Sequence, residues 1–194
     1  MYSGWGVKFF DFDRDGDQDL VVCNGHPDDL IETLSSTLTY KEPLLLFEQA
    51  NGKFQSLGSR AGTAFTGNYP ARGLAVGDLD NDGLHEAVIA NSGQAPLVLR
   101  HTGNSAQSGW VGLRFAGYAA GAQITWTAAG EKRFRLKTAG GSYLSASDPR
   151  EILGLASARQ IDLLEIKWPD GRLQQHRNVV SGRYYTIGRD GTLR

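Results

Sequence analysis

Two short acidic segments carry the side chains of this sequence that are best suited to chemistry. The first, DFDRDGDQD, covers residues 11–19 and places an aspartate at every second position. The second, DLDNDGLHE, covers residues 78–86 and repeats the pattern, with a glutamate at its last position. Two carboxylates 4 Å apart repel each other by roughly 4 kcal/mol at an effective dielectric constant of about 20. Such crowding means either that each segment stays open in water or that it surrounds a positive charge.

The shared pattern D-x-D-x-D-G-x-x-D/E is typical of a calcium loop. Ca²⁺ takes about six to eight oxygen ligands, and carboxylates with a backbone carbonyl at position seven supply them. Glycine at position six permits the sharp turn that the loop needs. We therefore predict two Ca²⁺ sites that stabilise the turns. The predicted ligands are Asp11, Asp13, Asp15, the Asp17 carbonyl and Asp19 in the first loop, and Asp78, Asp80, Asp82, the Leu84 carbonyl and Glu86 in the second.

Spacing excludes two other metal motifs. An EF-hand loop needs a glutamate at position twelve, where this chain has Val22 and Ile89. A zinc-binding H-E-x-x-H motif starting at His85 would place its second histidine at Ile89. Because apolar segments flank both loops, we predict calcium turns between β-strands. An acidic, solvated turn without an ion is the alternative.

The two loops belong to an internal repeat. Asp11 and Asp78 are 67 residues apart, and a further pair of predicted strands follows each loop. Twenty-five glycines among 194 residues, with many short apolar segments, predict an all-β chain. A repeat of this size favours a β-propeller blade or a solenoid. Within the first copy, 27–43 is predicted as a loop with one helical turn, and 43–57 as a hairpin around Asn51-Gly52.

The pattern changes in the second half of the chain. A linker rich in Gly, Ser and Asn covers 101–109, and alternating strands with polar turns follow it. Phe134 and Leu136, for example, alternate with basic residues along one predicted strand. We therefore predict two domains, an incomplete propeller of two repeats over 1–103 and a β-sandwich-like domain over 108–194.

Whole-chain properties limit the classes of partner. The formal net charge is −1, so no global field attracts nucleic acid or an anionic membrane. No apolar segment approaches the roughly 18 residues of a membrane span, and a single cysteine excludes an internal disulfide. The first ten residues lack the basic start and apolar core of a signal peptide. We expect them to form a strand, within a mature fragment or the end of a longer protein.

Catalytic motifs with specific spacing are missing from the sequence. It contains no G-x-S-x-G segment, and Cys23 follows two valines as a predicted buried strand residue. Trp168 is predicted to anchor the hairpin that turns at Pro169-Asp170-Gly171. The pattern favours a binding protein over an enzyme. The histidines are scattered at His26, His85, His101 and His176.

The segment Tyr143–Arg150 permits two interpretations. Ser147-Asp148-Pro149 is a good turn opener, so we predict a tight connection in which Asp148 accepts backbone N–H bonds. The alternative is a ligand loop. A deep pocket that joins His26, Tyr143 and Asp148 would favour an enzyme.

The two acidic loops, with GWG before the first and VVCNGH or VIAN after them, resemble FG-GAP/VCBS repeats of the integrin-α propeller type. The segment from GAQITW through GGSYLSASDPR to EIKWPDGR resembles the ASPIC/UnbV domain. Together they are similar to the cartilage-acidic-protein (CRTAC) group and its bacterial relatives. Two departures stand out. A propeller needs about four to eight blades, and the segment FAGYAAGAQITW is shorter than its family counterpart.

This resemblance implies a calcium-binding, non-enzymatic interaction module that is extracellular or on the cell surface. Its loops are expected to bind a protein or carbohydrate ligand. Additional blades are expected from an upstream segment or from other chains. Two alternatives remain: an enzyme or accessory protein in a biosynthetic pathway, and a self-assembling surface structural protein.

Overall fold

The computed structural model describes residues 1–102 and 108–194, which are almost entirely strands, turns and loops. Five sheets form in this part of the chain, and none of them closes on itself. The predicted all-β class is thus confirmed. None of the described helices has the length and apolar character that crossing a membrane requires.

The N-terminal half contains a four-stranded and a three-stranded antiparallel sheet. Their orders are β1-β2-β4-β5 and β7-β8-β9, and β3 pairs with β6 in a separate two-stranded sheet. A short helix, α1 (Ile31–Leu34), supplies the single helical turn predicted for 27–43. The strands are β1 (Gly4–Phe10), β2 (Asp19–Asn24), β3 (Glu42–Pro43), β4 (Leu45–Ala50), β5 (Lys53–Ser56), β6 (Asn68–Tyr69), β7 (Ala71–Gly77), β8 (Glu86–Asn91) and β9 (Gln94–Leu99).

The acidic loops connect equivalent strands of these two sheets. The first loop joins β1 to β2, where Phe10 pairs with Asp19 across the ladder. The second joins β7 to β8, where Gly77 pairs with Glu86. Position nine of each loop is therefore the first residue of the outgoing strand, so the sheet itself fixes where that carboxylate lies.

One core holds the two sheets together. β1 and β7 approach closely at Gly6, where an added Cβ would lie 2.5 Å from Leu74 Cβ. Cys23 is fully buried in this core, as predicted. Around β4 and β5, Asn51 and Gly52 both have positive φ, the conformation of a type I′ turn, and form the predicted hairpin. The buried members of the core are Phe10, Val21, Cys23, Leu44, Leu46, Ala71, Leu74, Val76, Ala87 and Ile89.

The C-terminal half contains two sheets, with orders β13-β10-β16 and β12-β11-β14-β15. Both contribute to a second core, in which Trp126 is fully buried. Trp168 is also buried in this core, and its backbone N–H donates to the Arg172 carbonyl at 2.8 Å across the β14–β15 hairpin. The strands are β10 (Trp110–Phe115), β11 (Gln123–Ala128), β12 (Glu131–Leu136), β13 (Glu151–Gly154), β14 (Gln160–Lys167), β15 (Leu173–Val180) and β16 (Arg183–Ile187).

The edge strand β12 has an inverted pattern of burial. Phe134 and Leu136 are 56% and 48% exposed, whereas Arg135 and the following Lys137 are 5% and 8% exposed. The alternation predicted a strand correctly, but the charged face turns inward. It does so because Glu151 lies there, 3.1 Å from the Lys137 ammonium.

The predicted linker, 101–109, includes residues 103–107, which lie outside the described residues. The predicted domain boundary falls on the same segment. On either side of it the described residues form the two separate cores.

Candidate metal centre

The two acidic loops follow the same backbone course. Positions four and six have positive φ in both, at 66° and 96° for Arg14 and Gly16 and at 63° and 82° for Asn81 and Gly83. For a residue with a Cβ this conformation costs roughly 1–2 kcal/mol, and asparagine tolerates it better than most. The cost falls at equivalent positions in both copies, so the curl is a property of the repeat.

Three hydrogen bonds recur at equivalent positions of the two loops. The position-one carboxylate accepts from the N–H of position six, position nine accepts from position two, and position five accepts from position seven. These bonds fix the carboxylates from within the loop. In the first loop they join Gly16 to Asp11 (3.0 Å), Phe12 to Asp19 (3.0 Å) and Asp17 to Asp15 (2.8 Å); in the second they join Gly83 to Asp78 (2.9 Å), Leu79 to Glu86 (2.8 Å) and Leu84 to Asp82 (2.8 Å).

The first loop brings together three of its five predicted ligands. Carboxylate oxygens of Asp11, Asp13 and Asp15 lie within 4.8 Å of one another, and the carboxylates of Asp17 and Asp19 are not part of this trio. Asp11 is 1% exposed, and its Oδ1 has no hydrogen-bond partner among the described residues. Leaving a buried carboxylate oxygen unpaired costs several kcal/mol. A hard cation at the trio would remove that cost, so these residues fit Ca²⁺.

The second loop also brings together three predicted ligands. Carboxylate oxygens of Asp78, Asp80 and Glu86 lie within 4.8 Å of one another, whereas the Asp82 carboxylate is not part of the cluster. Glu86 is 4% exposed, and its Oε1 accepts no hydrogen bond within the described chain. This orphaned oxygen belongs to position nine, whereas in the first loop it belongs to position one.

A guanidinium group distinguishes the second loop from the first. Arg100, at the end of β9, forms an ion pair with Asp80, and its Nε lies 3.9 Å from Glu86 Oε1. The Arg100 side chain is 59% exposed, so it can leave without exposing a core. Sequence reasoning missed this residue because the arginine lies beyond the repeat pattern, one strand away.

Burial sets the protonation of the loops when no cation is present. It raises the pKa of Asp11 to about 8 and that of Asp19 to about 7. The pKa values of Asp13, Asp15 and Glu86 are also raised by burial. Clustered carboxyls in a low dielectric resist ionisation. A bound divalent cation would reverse this preference, because its ligands must be deprotonated.

The loops also contact each other. His85, at position eight of the second loop, lies with its Nδ1 3.2 Å from the Asp11 carbonyl oxygen, and its ring packs edge-on against Phe10 at 5.7 Å. Burial lowers the pKa of His85 to about 4, so the imidazole is neutral at pH 7. From the first loop, Arg14 Nη1 donates to the Asp82 carbonyl at 3.3 Å. A displacement of either loop would therefore alter contacts that the other loop makes.

The C-terminal half closes over the second loop through Arg150. Its Nη2 donates to the Asp78 carbonyl and its Nη1 to Asn81 Oδ1, both at 2.5 Å. Asp148 holds the guanidinium in place by accepting from Nε at 2.8 Å and from the Arg150 backbone N–H at 2.9 Å. Tyr184 stacks under the Arg150 guanidinium and donates its hydroxyl to Asp78 Oδ2 at 2.5 Å.

These contacts support the turn interpretation of Tyr143–Arg150. Asp148 accepts a backbone N–H bond, as the turn interpretation predicted, and the same turn holds the acidic loop. Asp148 lines a cleft that includes neither His26 nor Tyr143, so the arrangement that would favour an enzyme is not formed there. The sequence pattern predicted the turn but did not show that it contacts the second acidic loop.

The C-terminal half also touches the first loop. Gly154, at the end of β13, packs so closely that an added Cβ would lie 2.1 Å from Asp11 Oδ2. Nearby, the Ala156 N–H donates to the Arg14 carbonyl at 2.9 Å. Both acidic loops are thus clamped between the two halves of the chain.

A match to a known family falls within the clamping half. Residues 114–193 match the family model described as ASPIC and UnbV. The matched segment contains Asp148, Arg150, Gly154 and Tyr184, the residues that contact the loops. The search of curated proteins found no match to this chain.

Proposed function

We propose that this chain is a calcium-stabilised, non-enzymatic interaction module that acts outside the cell or on its surface. In this proposal the N-terminal sheets are two FG-GAP/VCBS-type blades of an incomplete propeller, and the C-terminal half is a small β-sandwich of a CRTAC-like protein. The observation that carries the proposal is the pair of acidic loops with matching hydrogen bonds, each with one buried carboxylate oxygen lacking a hydrogen-bond partner.

Calcium, when bound, supplies the positive charge that these carboxylates lack. Asp11, Asp13 and Asp15 would hold one ion, and Asp78, Asp80 and Glu86 the other. Because the C-terminal half packs on both loops, their rigidity would fix how the two halves are joined. The outward-facing loops are then available to bind a protein or carbohydrate partner.

Thermal unfolding in calcium and in excess chelator tests this proposal. A ligand present at about 100 times its Kd stabilises the folded state by about 2.7 kcal/mol. For a chain of this length each kcal/mol shifts the melting temperature by roughly 2–4 °C, so we expect a rise of about 5–10 °C with calcium. Elemental analysis should find two calcium ions per chain. Equal melting temperatures, with no calcium retained, would refute the proposal.

A paired variant separates ion binding from simple loss of negative charge. Asp13→Asn removes one ligand of the first loop and should abolish roughly half of the bound calcium. Asp29→Asn removes an exposed carboxylate from the segment before α1 and should change neither the calcium content nor the calcium-dependent shift. A similar effect of both substitutions would indicate only a general charge effect.

Open sheet edges support a second candidate, self-assembly. β5 lies at the edge of its sheet with all four residues exposed, and β9 is the edge of the other. Unpaired edges readily pair with another chain. Light scattering of the purified chain tests this candidate: higher oligomers would support it, and monomer at all concentrations would exclude it.

A further inference from the structure

A cleft separates the two halves of the chain beside the acidic loops. It has a volume of about 370 Å³ and lies between β1 and β12. A second hollow of about 220 Å³ shares part of the same wall, including Lys8 and Glu151. Together they are large enough for a small organic molecule. Neither the interpretation of the acidic loops nor the contacts of Arg150 accounts for this space.

Positive charge exceeds negative charge at the floor of the cleft. Glu151 accepts an ion pair from Lys137 at 3.1 Å and lies 4.0 Å from Arg135. Lys8, on β1, faces the same group but forms no ion pair or side-chain hydrogen bond with any described residue. Burial lowers the pKa of Lys8, Glu151 raises it, and Lys137 and Arg135 lower it further. Three cations therefore surround one carboxylate.

The remaining charged groups of the wall do not neutralise this excess. Asp148 is paired with Arg150, and Asp78 accepts hydrogen bonds from Tyr184 and from its own loop. Lys8 is thus the cation of the cleft with no described partner.

Four apolar side chains stand at the mouth of the cleft, and we call them the apolar rim. They are 40–56% exposed although they lie on strands that bury other side chains. Those on β12 are exposed because that strand turns its charged face inward. Exposed apolar groups around a polar floor are typical of a small-molecule site. The apolar rim consists of Val7, Phe9, Phe134 and Leu136.

We propose that this cleft binds a small organic acid, with its acidic group on Lys8 and Lys137 and its apolar body against the apolar rim. A singly charged acid fits best, because Glu151 and Asp148 in the wall repel a second negative charge. The Lys8 ammonium offers three N–H donors to an anion, and Lys137 retains one beyond its bonds to Glu151 and Thr138. This inference does not depend on calcium.

Two dyes with the same apolar body test the proposal. Anilinonaphthalene sulfonate carries one negative charge, and N-phenyl-1-naphthylamine is its neutral counterpart. We expect the full chain to bind the sulfonate with an affinity at least tenfold higher than the neutral dye, measured by fluorescence titration in calcium and again in chelator. Benzoate should displace the sulfonate, whereas inorganic phosphate should not. Equal affinities for the two dyes, or equal displacement by phosphate, would overturn the proposal.

Matched variants test the separate contributions of the Lys8 charge and of the apolar rim to binding. Lys8→Met should weaken binding of the sulfonate about tenfold, which is the loss expected for a charge-assisted contact, and leave the neutral dye unchanged. Lys132→Met removes an exposed cation of β12 outside the cleft and should alter neither dye. Phe134→Ser should weaken both dyes, whereas Val98→Ser, on exposed β9, should weaken neither. Equal effects of Lys8→Met and Lys132→Met would also overturn the proposal, provided that both variants still unfold cooperatively.

Discussion

At the scale of single residues, the acidic loops differ from ordinary surface turns in how deeply their carboxylates lie. Asp11 and Asp78 are 1% and 2% exposed, yet each lies in a segment that repeats acidic side chains. Burial makes ionisation of these carboxylates costly when no cation is present. The stability of the fold should therefore depend both on pH and on bound metal. Two predictions follow from named side chains.

The first concerns pH in the absence of calcium. The raised pKa of Asp11, about 8, means that the folded state retains a proton that the unfolded chain releases near pH 4. Stability from this group is therefore lost as pH rises toward 8. His85 acts in the opposite sense, because its lowered pKa favours folding as pH rises from about 4 to 6.5. Asp19, whose pKa burial raises to about 7, adds to the loss of stability up to that pH. His85 offsets part of this loss below pH 6.5, and the two aspartates dominate above it.

We therefore expect the chelated protein to lose about 1–2 kcal/mol between pH 6.5 and 8. In calcium the loss should disappear, because the ion binds the deprotonated loop. Melting curves at several pH values, with and without chelator, measure both effects. Asp11→Asn should flatten the chelated profile. A chelated wild type whose melting temperature does not change with pH would contradict the assignment.

The second concerns Arg100, whose guanidinium partly neutralises the second loop. A calcium ion at the second loop would have to displace this ion pair, whereas the first-loop trio has no equivalent pair among its described contacts. Because exposed ion pairs contribute about 0.2–1 kcal/mol, Arg100→Gln should lower the calcium Kd of the second loop about twofold to fivefold. Calorimetric titration would resolve the two sites. Arg159→Gln, an exposed arginine elsewhere, serves as the control, and an equal change there would count against the prediction.

At the scale of elements, sequence patterns predicted the parts whose conformation is local. The strands beside each loop, the hairpin at Asn51-Gly52 and the turn at 169–171 depend on nearby residues and turn chemistry. The inward face of β12 was not predictable, because alternation shows which residues share a face but not which face is buried. The contact of Arg150 with the second loop was also missed, because it joins residues about 70 positions apart.

Gly154 provides a prediction at this scale, because β13 ends against the first loop. A methyl group there would lie 2.1 Å from Asp11 Oδ2 and 2.6 Å from the Arg14 backbone. Gly154→Ala should cost about 1–3 kcal/mol of stability, as overpacking does, and should weaken the first calcium site more than the second. Gly140→Ala is the matched control, because nothing lies within 4 Å of its added Cβ. Chemical denaturation and calcium titration measure both effects, and equal effects would contradict the packing argument.

At the scale of the whole molecule, two separate cores meet at a polar interface. Each core is built from one half of the chain, and the acidic loops lie between them with Arg150, Gly154 and Tyr184 packed on top. The loops are thus the points at which the folding of one half can depend on the other. Calcium would strengthen this dependence by fixing the surface that the C-terminal half contacts.

Variants of two arginines, each paired with an aspartate two residues earlier, test this coupling. Arg150 and Arg172 each bond an aspartate two residues earlier, but only Arg150 also reaches the second loop. In calcium, we expect the wild type to unfold in one calorimetric transition. Arg150→Met should lower stability by about 2–3 kcal/mol and split that transition into two, because each half then unfolds on its own core. Arg172→Met removes an exposed, solvent-screened pair and should leave both the stability and the single transition nearly unchanged. If both variants kept a single transition and lost equal stability, the clamp on the second loop would not be what couples the two halves.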